Sequence, residues 1–143
     1  MRKTKAPKKY VEEVTEWASS CEAVIALALV GSHARNKAGP DSDIDFILLC
    51  DNTSHLINNL SWIKQFGKIR SYQLEEWGVV TSIRVIYIDG QEIEFGIAPL
   101  SWASIPIDAG TSRVVTDGIK ILKDKRRIVS TLKGAVAKKN VSE

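Results

Sequence analysis

Two aspartates, Asp43 and Asp45, stand two positions apart at the start of an apolar run. Because side chains alternate across a strand, both carboxylates leave one face, while Ile44 and Phe46 point to the other. Neighbouring acids raise each other's pKa unless a cation lies between them. Carboxylate oxygens suit Mg²⁺, which fills its remaining positions with water and phosphate oxygens. The pair therefore predicts a site for a divalent metal ion.

The dipeptide Gly31-Ser32 ends an earlier run, 23–30, that is apolar on both faces and predicts a buried central strand. Glycine allows a tight turn and a close approach of the backbone. The free amides at the start of a helix bind phosphate, and the Ser32 hydroxyl adds a donor. We therefore expect a phosphate site here, with Ser32 capping a short helix over 33–37.

A second acidic pair, Glu92 and Glu94, alternates with Ile93 and Phe95 after the hairpin signal Asp89-Gly90. If this strand pairs beside the aspartate strand, one glutamate completes a cluster of three carboxylates. Such a cluster, with two metal ions, can hold the attacking and leaving oxygens of an in-line phosphoryl displacement. We expect Glu94 to be this third acid and a candidate general base for the acceptor. For Glu92 a solvated position is favoured.

The elements that carry these residues are read from hydrophobic periodicity and turn signals. Strands are predicted over 23–30, 43–50, 68–75, 79–88, 93–97 and 119–122, and helices over 8–20, 55–66, 110–117 and 126–138. The fold class is α/β of the α+β type, a mixed β-sheet of about five strands flanked by helices. Residues 1–9 are predicted to be a basic flexible arm, and 10–143 a single domain.

Three further residues could lie beside a substrate, although this role is not the favoured one for any of them. Arg84 lies in the middle of a predicted strand among apolar neighbours, and a substrate role is not favoured for it. Trp77 and Trp102 are candidates to border a nucleotide, although packing in the core or at its rim is the favoured role for each.

Composition bounds the class of protein. The chain has 143 residues, of which 44% are hydrophobic and 26% charged, as in a soluble globular domain. A net charge of +3 is too small to indicate nucleic-acid binding. The two cysteines, Cys21 and Cys50, form no C-x-x-C pair and stand near no histidine cluster, so no zinc site is predicted. No signal peptide or membrane-spanning run is apparent, which favours the cytoplasm.

The motifs together resemble the signature of the DNA polymerase β-like nucleotidyltransferase superfamily. That signature is Gly-Ser, a spacer, Asp-x-Asp, and a later acid in an apolar strand, which here are Gly31-Ser32, Asp43-Ile44-Asp45 and Glu94. The similarity covers most of residues 24–123. It is greatest to small bacterial and archaeal nucleotidyltransferase-domain proteins, which include aminoglycoside-modifying relatives. A glutamate stands at the third acidic position, where aspartate is more usual.

The resemblance implies a nucleotidyltransferase fold and a set of site residues. Gly31 and Ser32 would contact the triphosphate of ATP or another nucleoside triphosphate. The three signature acids would be catalytic and would bind Mg²⁺, or Mn²⁺ in its place. Arg35 and Lys37 lie in the intervening loop, where phosphate contact and a solvated charged loop are equally favoured.

The resemblance implies two alternative functions. The first is an enzyme that transfers a nucleoside monophosphate, AMP from ATP, to a hydroxyl of a small molecule such as an aminoglycoside, or of a protein. The second is an interaction subunit, like antitoxin relatives, that pairs with a helical partner protein. No sequence after residue 123 resembles a large acceptor-binding domain. The acceptor site is therefore expected to come from a partner or from a second copy in a homo-oligomer.

Overall fold

The computed structural model describes residues 5–35, 38–39, 42–103 and 118–142. Its centre is a mixed six-stranded sheet with the order β3-β4-β5-β2-β1-β6. The strands are β1 (Val24–Val30), β2 (Ile44–Cys50), β3 (Ile69–Trp77), β4 (Val80–Tyr87), β5 (Glu92–Pro99) and β6 (Ile119–Asp124). The predicted fold class is confirmed, with six strands instead of about five.

The helices are α1 (Pro7–Ser20), α2 (Gly31–Ala34), α3 (Ser54–Ile57) and α4 (Ile128–Ser142), with 3₁₀ helices at Ser61–Phe66 and Leu100–Ala103. No described helix combines the length and apolar character needed to cross a bilayer. The helix predicted over 110–117 lies outside the described residues. Because proline is favoured at a first helical position, α1 already begins at Pro7 and takes in the last three residues of the predicted arm.

Two helix predictions were wrong in detail. The helix predicted over 55–66 is broken after Ile57, because the side chain of Asn59 accepts a hydrogen bond from the Ser61 amide and so competes with the helical pattern. The helix predicted over 33–37 instead starts at Gly31 and ends at Ala34, so Ser32 lies within its first turn and does not cap it.

The alternation of β1 separates two hydrophobic cores. Leu27 and Leu29 face the larger core, which α1, α3 and the helix Ser61–Phe66 cover. Ala26 and Ala28 face the smaller core beneath α4 and Leu100–Ala103, where small side chains allow close packing. The smaller core is formed mainly by β2, β1 and β6, with Ala98 at the end of β5. Towards β4 and β3 the same face carries polar and charged side chains, among them Ser82, Arg84, Glu94 and Glu75.

A buried hydrogen bond fixes the β4–β5 turn to α1. The Tyr10 hydroxyl donates to Asp89 Oδ2 at 2.7 Å, and Asp89 Oδ1 accepts the amide of Gln91 at 3.0 Å. The burial and the Asp89 charge raise the pKa of Tyr10 well above its usual value, so the phenol stays protonated. This contact holds the turn immediately before Glu92.

Replacing Tyr10 with phenylalanine should lower the free energy of unfolding by about 2 kcal/mol, because a buried carboxylate loses its donor. Urea unfolding of the variant measures this loss. Thr15→Val is the control on the same helix, since the Thr15 hydroxyl only donates to a carbonyl of its own helix. Equal losses in the two variants would contradict a special role for the Tyr10 contact.

Candidate functional site

The strand pairing brings Asp45 and Glu94 together. Strands β2 and β5 are parallel, and Asp45 lies directly opposite Glu94 in their register. Their carboxyl groups lie side by side on one face of the sheet. Burial, to which the neighbouring Glu94 carboxyl adds, raises the pKa of Asp45 to about 7. The glutamate strand therefore does pair beside the aspartate strand, as the third-acid prediction requires.

A second pair of acids lies beside the first. Asp43 precedes β2 and lies beside Glu92, the first residue of β5. The interaction with the Asp43 carboxyl, together with burial, raises the pKa of Glu92 to about 7. Glu92 is only partly buried. The structure thus places it beside the other acids, and whether it binds a metal ion stays a prediction.

Gly31 lies against this cluster, where any side chain would force a shift. Val30 pairs with Asp45 across β1 and β2, so the chain turns into α2 beside the aspartate. Gly31 has a φ of +73°, which side chains rarely adopt, and a Cβ there would lie 2.6 Å from Asp45 Oδ2. Ser32 follows in the first turn of α2. The Gly-Ser turn and the acids therefore form one continuous site.

The structure describes one of the two basic loop residues that are candidates for phosphate contact. Arg35 follows α2, and its Cγ would lie 2.9 Å from a Cβ on Gly118, so its stem packs at the start of β6. This position is on the β1–β6 side of the cluster, next to Gly31-Ser32. Lys37 lies outside the described residues.

Strand β4 adds two residues that the sequence analysis did not assign to the site. Arg84 lies opposite Glu94 in the β4–β5 register. Ser82 is buried, and its hydroxyl donates to Glu94 Oε1. Ser82 and Arg84 stand two positions apart in β4, so the sequence places them on one face of the strand. Only the sheet order shows that this face carries the acids.

An apolar pocket of about 170 Å³ adjoins Asp45 and Glu94. Its apolar lining is Val30, Phe46, Ile47, Trp77, Val80 and Gly96. Trp77 lines this pocket and is 61% exposed, and its contact with a nucleotide stays a prediction. Trp102 instead lies in the smaller core, so its favoured packing role is the one observed.

The acidic side chains are of the chemical type that binds a hard divalent cation. They provide paired carboxylate oxygens, and a cation would stabilise the charged forms of Asp45 and Glu92, which burial and neighbouring acids disfavour. In their present positions, no three Asp, Glu, His or Cys side chains among the described residues are arranged to hold a metal ion. Glu94 is turned toward Ser82 and Arg84. A metal site would therefore require Glu94 to change its partners.

The mixed sheet, the acids and the Gly-Ser turn agree with the resemblance to nucleotidyltransferases. The sequence model of the family described as "Streptomycin adenylyltransferase" matches residues 1–142, and the chain belongs to that family. No curated protein matches the chain.

Three solved structures are similar to this chain, and the first of them shares its fold. An aminoglycoside 6-adenyltransferase from Bacillus subtilis is 17% identical with a TM-score of 0.57, over 69% of this chain and 37% of that one. A cytoplasmic RNA terminal U-transferase is 14% identical with a TM-score of 0.48, over 78% and 33%. A nucleotidyltransferase-like protein from Exiguobacterium sibiricum is 11% identical with a TM-score of 0.45, over 91% and 38%. This chain thus spans between 33% and 38% of the length of each.

Proposed function

We propose that this chain is the nucleotide-binding, catalytic part of an adenylyltransferase that transfers AMP from ATP to a hydroxyl group. The observation that carries the proposal is the register that sets Asp45 against Glu94 and beside Gly31. Family membership supports the same reaction. A triphosphate bound at the Gly-Ser turn would lie at one edge of the acids, and an acceptor would approach from the β4 side.

The residues divide the chemical work between them. Gly31 and Ser32 would bind the triphosphate, with Arg35 and Lys37 as further cationic contacts. Asp43, Asp45 and Glu94 would hold Mg²⁺, or Mn²⁺, which when bound supplies charge neutralisation and alignment of the phosphates.

The transfer itself needs one base and one leaving group. Glu94 would accept the proton of the acceptor hydroxyl, whose oxygen attacks the α-phosphorus of ATP. The bond from that phosphorus to the oxygen bridging to the β-phosphorus breaks, and pyrophosphate leaves. AMP then stays on the acceptor oxygen as a phosphodiester.

An aminoglycoside is the proposed acceptor class. The family carries streptomycin in its description, and the Bacillus subtilis structure is an aminoglycoside enzyme. Such acceptors are cationic and rich in hydroxyl groups. Acidic side chains on the open β3–β5 face, including Glu75 and Glu92, are of the charge that would attract them. Pairing with a helical partner protein, and a place in the cytoplasm, stay predictions.

The test is a thermal shift with ATP and Mg²⁺, which needs no acceptor. Ligand at a hundredfold excess over Kd should add about 2.7 kcal/mol, or roughly 8 °C for a domain of this size. The shift should require Mg²⁺ or Mn²⁺ and should be lost in the double variant Asp43→Asn/Asp45→Asn.

The matched control is Glu12→Gln/Glu16→Gln, which removes two exposed acids from α1 on the opposite side of the sheet. It should shift as wild type does. If millimolar ATP with metal does not stabilise wild type, or stabilises the Asp43→Asn/Asp45→Asn variant equally, the proposed nucleotide site is wrong.

A further inference from the structure

Arg84 is a positive charge held between two glutamates on the carboxylate face. Its Nη2 lies 3.7 Å from Glu94 Oε1, and its Nε lies 3.6 Å from Glu75 Oε1. Both distances exceed that of a good hydrogen bond. Within the described part of the chain the buried Nε has no hydrogen-bond partner, although the side chain as a whole is 38% exposed. The guanidinium is therefore attracted to both acids without being locked to either.

The two contacts that β4 makes to Glu94 use the same carboxylate oxygen. The Ser82 hydroxyl and the Arg84 guanidinium both approach Oε1. Neither of these contacts uses Oε2. Rotation of the carboxylate away from Arg84 would therefore cost one weak ion pair and would leave the Ser82 hydrogen bond able to guide the new orientation.

The charge of Arg84 acts on the whole cluster. It opposes the effects that raise the pKa values of Asp45 and Glu92. In electrostatic terms the guanidinium thus performs part of the task that a divalent cation would perform there. A cation that enters the cluster must compete with Arg84 for Glu94 and is repelled by its charge.

We propose that Arg84 is a positioning residue that holds Glu94 in the metal-free protein and releases this carboxylate when a divalent cation binds. The inference rests on the proposed function, because it assumes that the acids are the metal site. Ser82 and Glu75 support the exchange: Ser82 retains Glu94 near the cluster, and Glu75 retains the guanidinium after Glu94 has turned away.

The proposal predicts that loss of the Arg84 charge tightens metal binding, whereas loss of a merely structural residue would weaken it. In a calorimetric titration of the whole chain with Mn²⁺ alone, Arg84→Met should bind about 3- to 10-fold more tightly than wild type. Arg84→Lys keeps the charge and should stay within about twofold of wild type. The matched control is Arg126→Met, which removes an exposed arginine paired with Asp51, and its affinity should not change.

Asp45→Asn separates failure of this inference from failure of the proposed function. If Mn²⁺ binds wild type in a manner that needs Asp45, but Arg84→Met binds equally or more weakly, the role of Arg84 is overturned and the metal site stands. Should Arg84→Lys bind as tightly as Arg84→Met, the charge is not the cause and the inference is also overturned. If none of the variants binds Mn²⁺, both proposals fail.

Discussion

Replacing Asp45 with asparagine should stabilise the metal-free protein while removing its activity. The Asp45 carboxyl is pressed against Glu94, and its pKa of about 7 records the cost of ionising it there. Asparagine has the same shape and no charge, so the cost disappears. After allowance for solvent screening, the gain at pH 8 in the presence of a chelator should be about 1–2 kcal/mol. Urea unfolding measures it.

The same substitution should lower adenylyl transfer by about 10³-fold, because the cluster loses a carboxylate that would balance the charge of the reacting phosphates. Pyrophosphate release in the presence of ATP, metal and an aminoglycoside is the assay. Glu76→Gln, an exposed position on β3, is the control for loss of one acid. A variant that is destabilised and inactive would show only misfolding, and would contradict this account.

The stability gain should depend on pH in a defined direction. A carboxyl whose pKa is raised on folding holds a proton that the unfolded chain releases, so stability falls as pH rises from about 4 to about 7. Below pH 4 Asp45 is protonated in both the folded and the unfolded chain, so it does not lower the free energy of unfolding. Wild type and Asp45→Asn should therefore converge in stability at low pH and separate above neutrality. Parallel curves would contradict the raised pKa of Asp45.

Replacing Gly31 with alanine should cost about 3 kcal/mol of stability and abolish stabilisation by ATP. A positive φ costs a residue with a side chain about 1–2 kcal/mol. The rest comes from the Cβ, which would lie 2.6 Å from Asp45 Oδ2 and must displace the carboxylate or the turn. Chemical unfolding and the ATP thermal shift measure the two effects.

Gly78 offers a control for the backbone strain alone. Its φ is +62°, close to that of Gly31, but a Cβ there would meet nothing within 4 Å. Gly78→Ala should therefore cost only the strain and keep the ATP shift. If Gly31→Ala behaves like Gly78→Ala in both measurements, the close approach of Gly31 to Asp45 has no functional importance.

The sequence predicted the strands well because their signals are local. The Asp89-Gly90 hairpin, the run before Gly31 and the alternation after Asp43 each depend on neighbouring residues, and β1, β2 and β5 lie within a few residues of their predicted bounds. The break in the helix predicted over 55–66 was missed because side-chain bonds such as that of Asn59 to Ser61 are not visible in periodicity.

The composition of the site was harder to predict because it depends on which strands are neighbours. The parallel pairing of β2 with β5 joins segments about fifty residues apart, and it decides that Glu92 meets Asp43 as well as that Glu94 meets Asp45. Ser82 and Arg84 could be placed on one face of β4 from alternation. Only the sheet order shows that this face carries the acids.

The parallel β2–β5 pairing also has a consequence for folding kinetics. The Gly-Ser turn and the acids become one site only when this long-range pairing is complete, and long-range pairings are slow to form. A partly folded chain in which β2 and β5 are apart would have no complete site for a ligand to recognise. We therefore expect saturating nucleotide to slow unfolding and to leave the refolding rate almost unchanged, because it stabilises contacts that are absent from the folding transition state.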